Sequence, residues 1–264
     1  VMDILTKIIS KKIDELKYLR QKKSISDLER SHFFSKKNKS IVKAIKEKEI
    51  SIIAEHKRKS PSKSDINHQT PSEKIIKGYE KAGAAAISIL TEKNFFNGSE
   101  NDLINAKKIT ELPILRKDFI INEYQIIESK AIGADGILLI AACLEKKDII
   151  SLSKLAKSLG MEVLIEIHNV SELEKSCIDS IDLIGVNNRN LKTFEVNIQT
   201  SIDLINKIPS NYTKISESGI SKPVDIITLK NNGFDGFLIG ETFMKTKDPG
   251  KNLSNFINEI ENEN

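Results

Sequence analysis

A length of 264 residues excludes a mini-protein stapled by disulfides or metal, and suits either two average domains or one α/β barrel. With 39% hydrophobic and 30% charged residues, the chain can fill a core under a heavily charged surface, which excludes general disorder. The 41 Lys and Arg against 37 Asp and Glu leave +4, an excess that suits an anionic metabolite without demanding nucleic acid.

Cys143 and Cys177 stand far apart with no CxxC or His spacing, so neither a disulfide framework nor a zinc site is expected, and a reducing compartment fits. No apolar run approaches the roughly 18 residues of a membrane helix. The N-terminus carries Asp3 early and lacks the apolar block of a signal peptide, so a cytoplasmic location is expected.

In chain order, Asp3–Arg20 sets Ile4, Leu5, Ile8, Ile9, Ile13, Leu16 and Leu19 on one stripe, the period of an amphipathic helix. After a polar stretch at 35–40 come short apolar runs: Ile50–Ala54, Ala84–Leu90, Pro113–Leu115, Gly136–Ala142, Glu162–Ile167, Leu183–Val186, Lys214–Ile215 and Gly236–Ile239. They read as buried parallel strands. Helical patterns such as Ile149, Leu152, Leu155, Ala156 and Leu159 separate them. Gly83, Gly133, Gly160 and Gly233 stand where helices end in a left-handed residue, at multiples of roughly 25 residues, the length of one strand–helix unit. Eight such units fit. The expectation is an α/β fold: a (β/α)8 TIM barrel forming a single domain over 1–264, of which 1–48 is an N-terminal helical extension. An open doubly wound sheet is the alternative, but no G-x-G-x-x-G or P-loop follows the first strand.

In a parallel barrel the C-terminal strand ends carry the active face, so the polar residues that stop each apolar run are the candidates. The two-residue period puts Ile53, Glu55 and Lys57 on one side of the first strand. By the same spacing the third strand offers Leu115, Lys117 and Phe119, the fifth Leu164 and Glu166, the sixth Asn187 and Arg189, and the seventh Glu217. Taken singly, Lys57 in Lys57-Arg58-Lys59 reads as a solvated loop charge, and Glu166 and Glu217 read as structural ion-pair partners. Their coincidence on most strands argues for a shared cavity, because a buried strand rarely ends in an inward charge without a partner or purpose.

Two turns suggest a phosphate site. Ser218-Gly219 follows the seventh strand and Gly240-Glu241 the eighth, setting small residues where backbone N–H groups can meet an anion. Ser60 lies in a long loop after the first strand that is expected to close over the site. His56 has the opposite parity to Glu55 and is expected between barrel and helices; His168 shares the parity of Glu166 but stands past the strand, and both are expected to be structural or peripheral. With no metal or cofactor motif, the chemistry rests on lysines and carboxylates, which suits acid–base work on a small phosphorylated carbonyl compound.

Five segments together resemble a known family: Ile53-Ala54-Glu55-His56-Lys57-Arg58-Lys59-Ser60-Pro61-Ser62, Leu90 through Ser99, Leu115-Arg116-Lys117-Asp118-Phe119-Ile120, Asn187-Asn188-Arg189-Asn190-Leu191 and Ser216-Glu217-Ser218-Gly219-Ile220. In order and over nearly the whole chain they resemble indole-3-glycerol-phosphate synthase. The resemblance implies ring closure of 1-(2-carboxyphenylamino)-1-deoxyribulose 5-phosphate to indole-3-glycerol phosphate, with loss of carbon dioxide and water and with no cofactor or metal. By motif, Lys117 would be the general acid on the ketone oxygen and Glu166 would handle the later proton transfers. Lys57 would meet the substrate carboxylate or phosphate, and Glu55 would orient the lysines. Asn187 and Arg189 would hold substrate hydroxyls and Glu55, while Glu217 and Ser218 would line the site. Phe119 and Leu191 would sandwich the benzene ring.

His56, Lys59 and Ser64 depart from the family's usual aliphatic, small and glycine residues. The small phosphorylated substrate is the expected partner, with no nucleic acid and no membrane, and the chain is expected as a monomer or weak homo-oligomer. The nearest enzymatic alternative is phosphoribosylanthranilate isomerase, whose acid–base pair needs a Cys or Asp at strand ends, for which Cys143 is poorly placed. A basic nucleic-acid-binding protein is the other, and it lacks a stacking stripe beside the basic residues.

Overall fold

The computed structural model describes residues 3–263. Eight parallel strands, β1 (Ile52–His56), β2 (Ala86–Leu90), β3 (Ile114–Lys117), β4 (Gly136–Ile140), β5 (Glu162–Ile167), β6 (Leu183–Asn187), β7 (Thr213–Glu217) and β8 (Gly236–Ile239), pair in sequence order and close through β8 onto β1. This is the (β/α)8 barrel, and the open-sheet alternative is excluded. Helices α1 (Ile4–Lys22), α2 (Ile25–Glu29) and α3 (Ile41–Lys46) precede it. Helices α4 (Ser72–Lys81), α5 (Glu100–Ile109), α6 (Glu123–Ile132), α7 (Lys146–Ser158), α8 (Val170–Ser176), α9 (Gln199–Ile205) and α10 (Pro223–Asn231) follow the first seven strands. A short α11 (Glu241–Met244) and a long α12 (Pro249–Glu263) follow β8.

Strand alternation sorts the residues into two shells. Inward Ile53, Leu115, Leu138, Leu164, Leu183, Ile215 and Leu238 pack together inside the barrel, and Ile41 and Ile45 of α3 join them at its lower end. Ser40 caps α3, and Glu162 at the foot of β5 accepts from Ile41 N–H at 2.6 Å and Val42 N–H at 3.0 Å, fixing that plug to the strands. Outward residues such as Ile52, Ile87, Ile137, Ile165 and Ile184 meet the helices in the larger core. The four helix-ending glycines have φ between +78° and +102°, the left-handed backbone the spacing called for.

Strand limits differ from the apolar runs in a consistent way. β3, β6 and β7 run on through Lys117, Asn187 and Glu217, whereas the apolar runs stop short of them. The ladder continues wherever a neighbouring strand offers hydrogen bonds, irrespective of side-chain polarity. At β4 the opposite holds: Ala141–Cys143 leave the strand in one tight helical turn.

The first helix is not a bystander. Its predicted stripe is buried at Ile8 and Leu16 but leaves Ile13 exposed, and Lys12, outside that stripe, is buried with its Nζ 3.0 Å from Asp118. That contact joins α1 to the residue directly after Lys117.

Candidate active site

The C-terminal mouth of the barrel opens into a cavity of about 430 Å³, a volume suited to a metabolite-sized ligand. Glu55, Lys57, Ser60, Lys117, Phe119, Glu166, Asn187, Arg189, Leu191, Ser218, Gly219, Gly240 and Glu241 all line it. Glu217 does not; it lies beneath the floor, 1% exposed, with its carboxylate under Lys117. Lys59 and Ser64 are also absent from the lining.

Lys117 is the hub. Its Nζ stands 3.0 Å from Glu217, 3.4 Å from Glu55 and 3.8 Å from Glu166, so three strands converge on one ammonium group. Burial disfavours its charge, but the three carboxylates outweigh that and raise its pKa. Glu55 feels the converse: burial works against its charge, yet Lys57, at 2.7 Å, and Lys117 hold it down to about 2. Glu217 is pushed up to about 7 by burial, opposed by Lys117 and assisted by Glu166. Its Oε1 is buried with no hydrogen-bond partner, in a space left by Gly185, where an added Cβ would stand 2.1 Å from that oxygen.

The other end of the cavity is formed by two tight turns, after β7 and after β8. Ser218 and Gly219 take consecutive left-handed φ values of 67° and 77°, the geometry of a backbone nest. Asn188 stabilises that turn by donating to Ser216 Oγ at 3.0 Å and to the Ser218 carbonyl at 3.1 Å. A Cβ on Gly219 would meet Val196 Cγ1 at 2.2 Å, and one on Gly240 would meet Glu55 Oε1 at 2.6 Å, so both turns have room only for glycine. Glu241 accepts from Lys63 of the loop after β1 and stands 3.8 Å from Arg189, tying three loops at the rim. Arg189 therefore pairs with Glu241 and the Phe194 carbonyl, not with Glu55 as the resemblance implied.

Sequence reasoning missed part of the apolar wall. Phe96 packs on Phe119 with ring centroids 6.0 Å apart, and Ile4, Leu5 and Ile8 of α1 reach the same cavity. Glu92 holds the Phe96 loop by accepting from Phe95 N–H at 2.7 Å and Phe96 N–H at 3.0 Å. Phe96 sits inside a quoted motif, so that signal was present; nothing in the period of α1 says which surface it covers.

His56 lies between barrel and helices as its parity indicated, with burial and Arg58 lowering its pKa to about 4. His168 is not among the residues lining the cavity, and its Nε2 stands 3.5 Å from Glu166. Cys143 is kept a neutral thiol by burial and by Glu166 and Glu172, which removes it as an acid–base partner. Among the described residues, no group of three or more His, Cys, Asp or Glu could hold a metal ion, and no helix is long and apolar enough to cross a membrane.

A barrel with a lysine–carboxylate hub at one end of its mouth and an anion nest at the other defines a class: phosphate-binding (β/α)8 enzymes working by acid–base chemistry. Comparison with known proteins narrows it. A sequence model described as "Indole-3-glycerol phosphate synthase" matches residues 5–256, and the chain belongs to that family. A relative of that name from Bacteroides thetaiotaomicron is 45% identical over 260 residues, 98% of this chain and 99% of its own length. One from Thermoanaerobacter pseudethanolicus is 50% identical over 217 residues, 82% and 83% of the two chains. The family is one of carboxy-lyases in tryptophan biosynthesis. Among solved structures, 3-hexulose-6-phosphate synthase from Salmonella typhimurium (TM-score 0.62, 15% identity, 80% of this chain and 100% of that one) shares the barrel architecture. So does a tryptophan synthase α-subunit variant from Pyrococcus furiosus (TM-score 0.60, 15% identity, 80% and 98%).

Proposed function

We propose that the cavity closes the indole ring of 1-(2-carboxyphenylamino)-1-deoxyribulose 5-phosphate, with Lys117 as general acid. The carrying observation is that Lys117 Nζ lies within 3.8 Å of three carboxylates at the cavity floor, between an aromatic wall and an anion nest. The substrate phosphate binds the N–H groups around Ser218–Gly219 and Gly240–Glu241, and its benzene ring lies against Phe119, Phe96 and Leu191. That orientation brings the ketone oxygen to Lys117 and the attacking ring carbon to the ketone carbon.

Lys117 donates its proton as the carbon–carbon bond forms, so that no free alkoxide accumulates. Carbon dioxide then leaves from the ring carbon that made the attack, and Glu166 moves the proton needed to expel water. Lys57 meets the substrate carboxylate, and Glu55 holds both lysines. Glu217, poised near neutrality, is the group whose protonation loosens its hold on Lys117 and restores the lysine's acidity. Asn187 and Arg189 take the hydroxyls.

The same reading takes the chain as a single barrel domain in which 1–48 is a working extension, supported by the contact of α1 with the cavity. A cytoplasmic location accords with the substrate. The test is to supply the carboxyphenylamino-deoxyribulose phosphate and follow indole fluorescence together with carbon dioxide release. Folded protein that yields neither product would reject the proposal.

A further inference from the structure

Glu166 uses its two oxygens differently. Oε2 faces Lys117 at 3.8 Å, while Oε1 faces His168 Nε2 at 3.5 Å. The imidazole cannot turn away, because Glu172 Oε2 accepts from the His168 backbone N–H at 2.8 Å and stands 3.1 Å from Nδ1. Glu172 is itself fixed: Asn169 Nδ2 donates to its other oxygen at 2.9 Å, and its backbone N–H returns to Asn169 Oδ1 at 2.9 Å. Nε2 is buried and has no hydrogen-bond partner among the described residues. A ring so rigidly held, with a vacant nitrogen aimed at one carboxylate, is a device for acting on that carboxylate.

From this arrangement we infer that His168 is a positioning residue for the ring-closure reaction: an imidazole held by Glu172 against Glu166 that keeps the second oxygen of Glu166 turned to the reacting centre. The inference rests on the acid–base role proposed for Glu166. The carboxylates around the ring favour the clamp, and Lys117, 3.8 Å from the other Glu166 oxygen, is the cation that opposes it. Glu166 on β5, Glu172 on α8 and Glu217 on β7 all favour the protonated ring and together outweigh its burial. Cys143, beside the same carboxylates, is neutral. Lys175, the nearest cation on α8, is engaged with the Leu144 carbonyl at 2.8 Å.

The experiment is steady-state ring closure across pH for His168→Gln, Glu166→Gln and the double variant. In His168→Gln, kcat at pH 7 falls about 10- to 100-fold with little change in KM. The acidic limb of kcat/KM changes, because the ionisable ring beside Glu166 is gone. The double variant is no slower than Glu166→Gln, because His168 acts only through Glu166. A His168→Gln profile superimposable on the unaltered one, or losses that multiply in the double variant, overturns the inference. Glu166→Gln with near-normal turnover overturns instead the role of Glu166. Should His168→Gln fail to fold, Glu172→Gln carries the test: it leaves the ring but removes the charge that keeps it protonated, and an unmoved acidic limb rejects the clamp.

Discussion

Replacing Lys117 by methionine tests the electrostatic design of the site as well as its chemistry. The substitution keeps the length of the side chain and removes one ammonium from among Glu217, Glu55 and Glu166, at 3.0, 3.4 and 3.8 Å. Lys57, 2.7 Å from Glu55, and His168, 3.5 Å from Glu166, are then the basic groups left against three buried carboxylates. Removing one partner of a buried ion pair costs about 3–5 kcal/mol when the remaining charge stays ionised. Here it need not: with Lys117 gone, Glu217, already pushed up to about 7 by burial, loses the cation that held it down and binds a proton that the unfolded chain releases. Stability therefore falls as pH rises above the ordinary carboxylate range, and the loss is largest on the alkaline side. At pH 8 the loss corresponds to a fall in Tm of about 6–12 °C, and at pH 5 to much less. Turnover falls by about four orders of magnitude, combining the lost proton donor with the lost positive charge at the ketone oxygen. Melting curves at the two pH values and an indole fluorescence assay read both effects. A variant that turns over within tenfold of the original, or one destabilised equally at pH 5 and pH 8, would refute the reasoning.

Gly219→Ala forces a side chain into left-handed backbone and against Val196, so phosphate-nest geometry changes: inhibition by inorganic phosphate weakens about tenfold, and unchanged inhibition would remove the nest from the phosphate site. Phe96→Leu removes one ring of the aromatic wall, raising KM about 3- to 10-fold at little cost in kcat, which steady-state kinetics at saturating substrate would check. Lys12→Met strands Asp118 without its partner on α1 and lowers stability by about 3 kcal/mol, measured by urea unfolding; a change under 1 kcal/mol would mean that the pair is dispensable.

How legible the site was depends on the kind of backbone carrying each residue. Within a strand, alternation fixes direction, so Glu55, Lys117, Glu166, Asn187 and Glu217 were assigned inward from period alone, and each is on the inward face. Period does not give depth, which is why Glu217 was grouped with the cavity walls although it lies below them. Loops have no period, and so Phe96, set by the Glu92 hydrogen bonds, and the Arg189–Glu241 contact came only with coordinates. Helix α1 has a period but several candidate surfaces; its seat is chosen by the Lys12–Asp118 pair, between residues too far apart in sequence to read as partners. His168 stands one step past its strand and is oriented by its local hydrogen bonds, here those of Glu172, and not by the strand.

That long-range pairing imposes an order on assembly. Helix α1 leaves the ribosome before the barrel strands, yet Asp118 is synthesised about a hundred residues later, and Tyr124, which donates to the Lys23 carbonyl at 3.0 Å at the helix end, later still. Until the third strand–helix unit exists, the apolar stripe of that helix lacks this seat. A segment made before the strands therefore docks after several of them, and the wall it adds to the mouth is finished only after the barrel beneath it has begun to form.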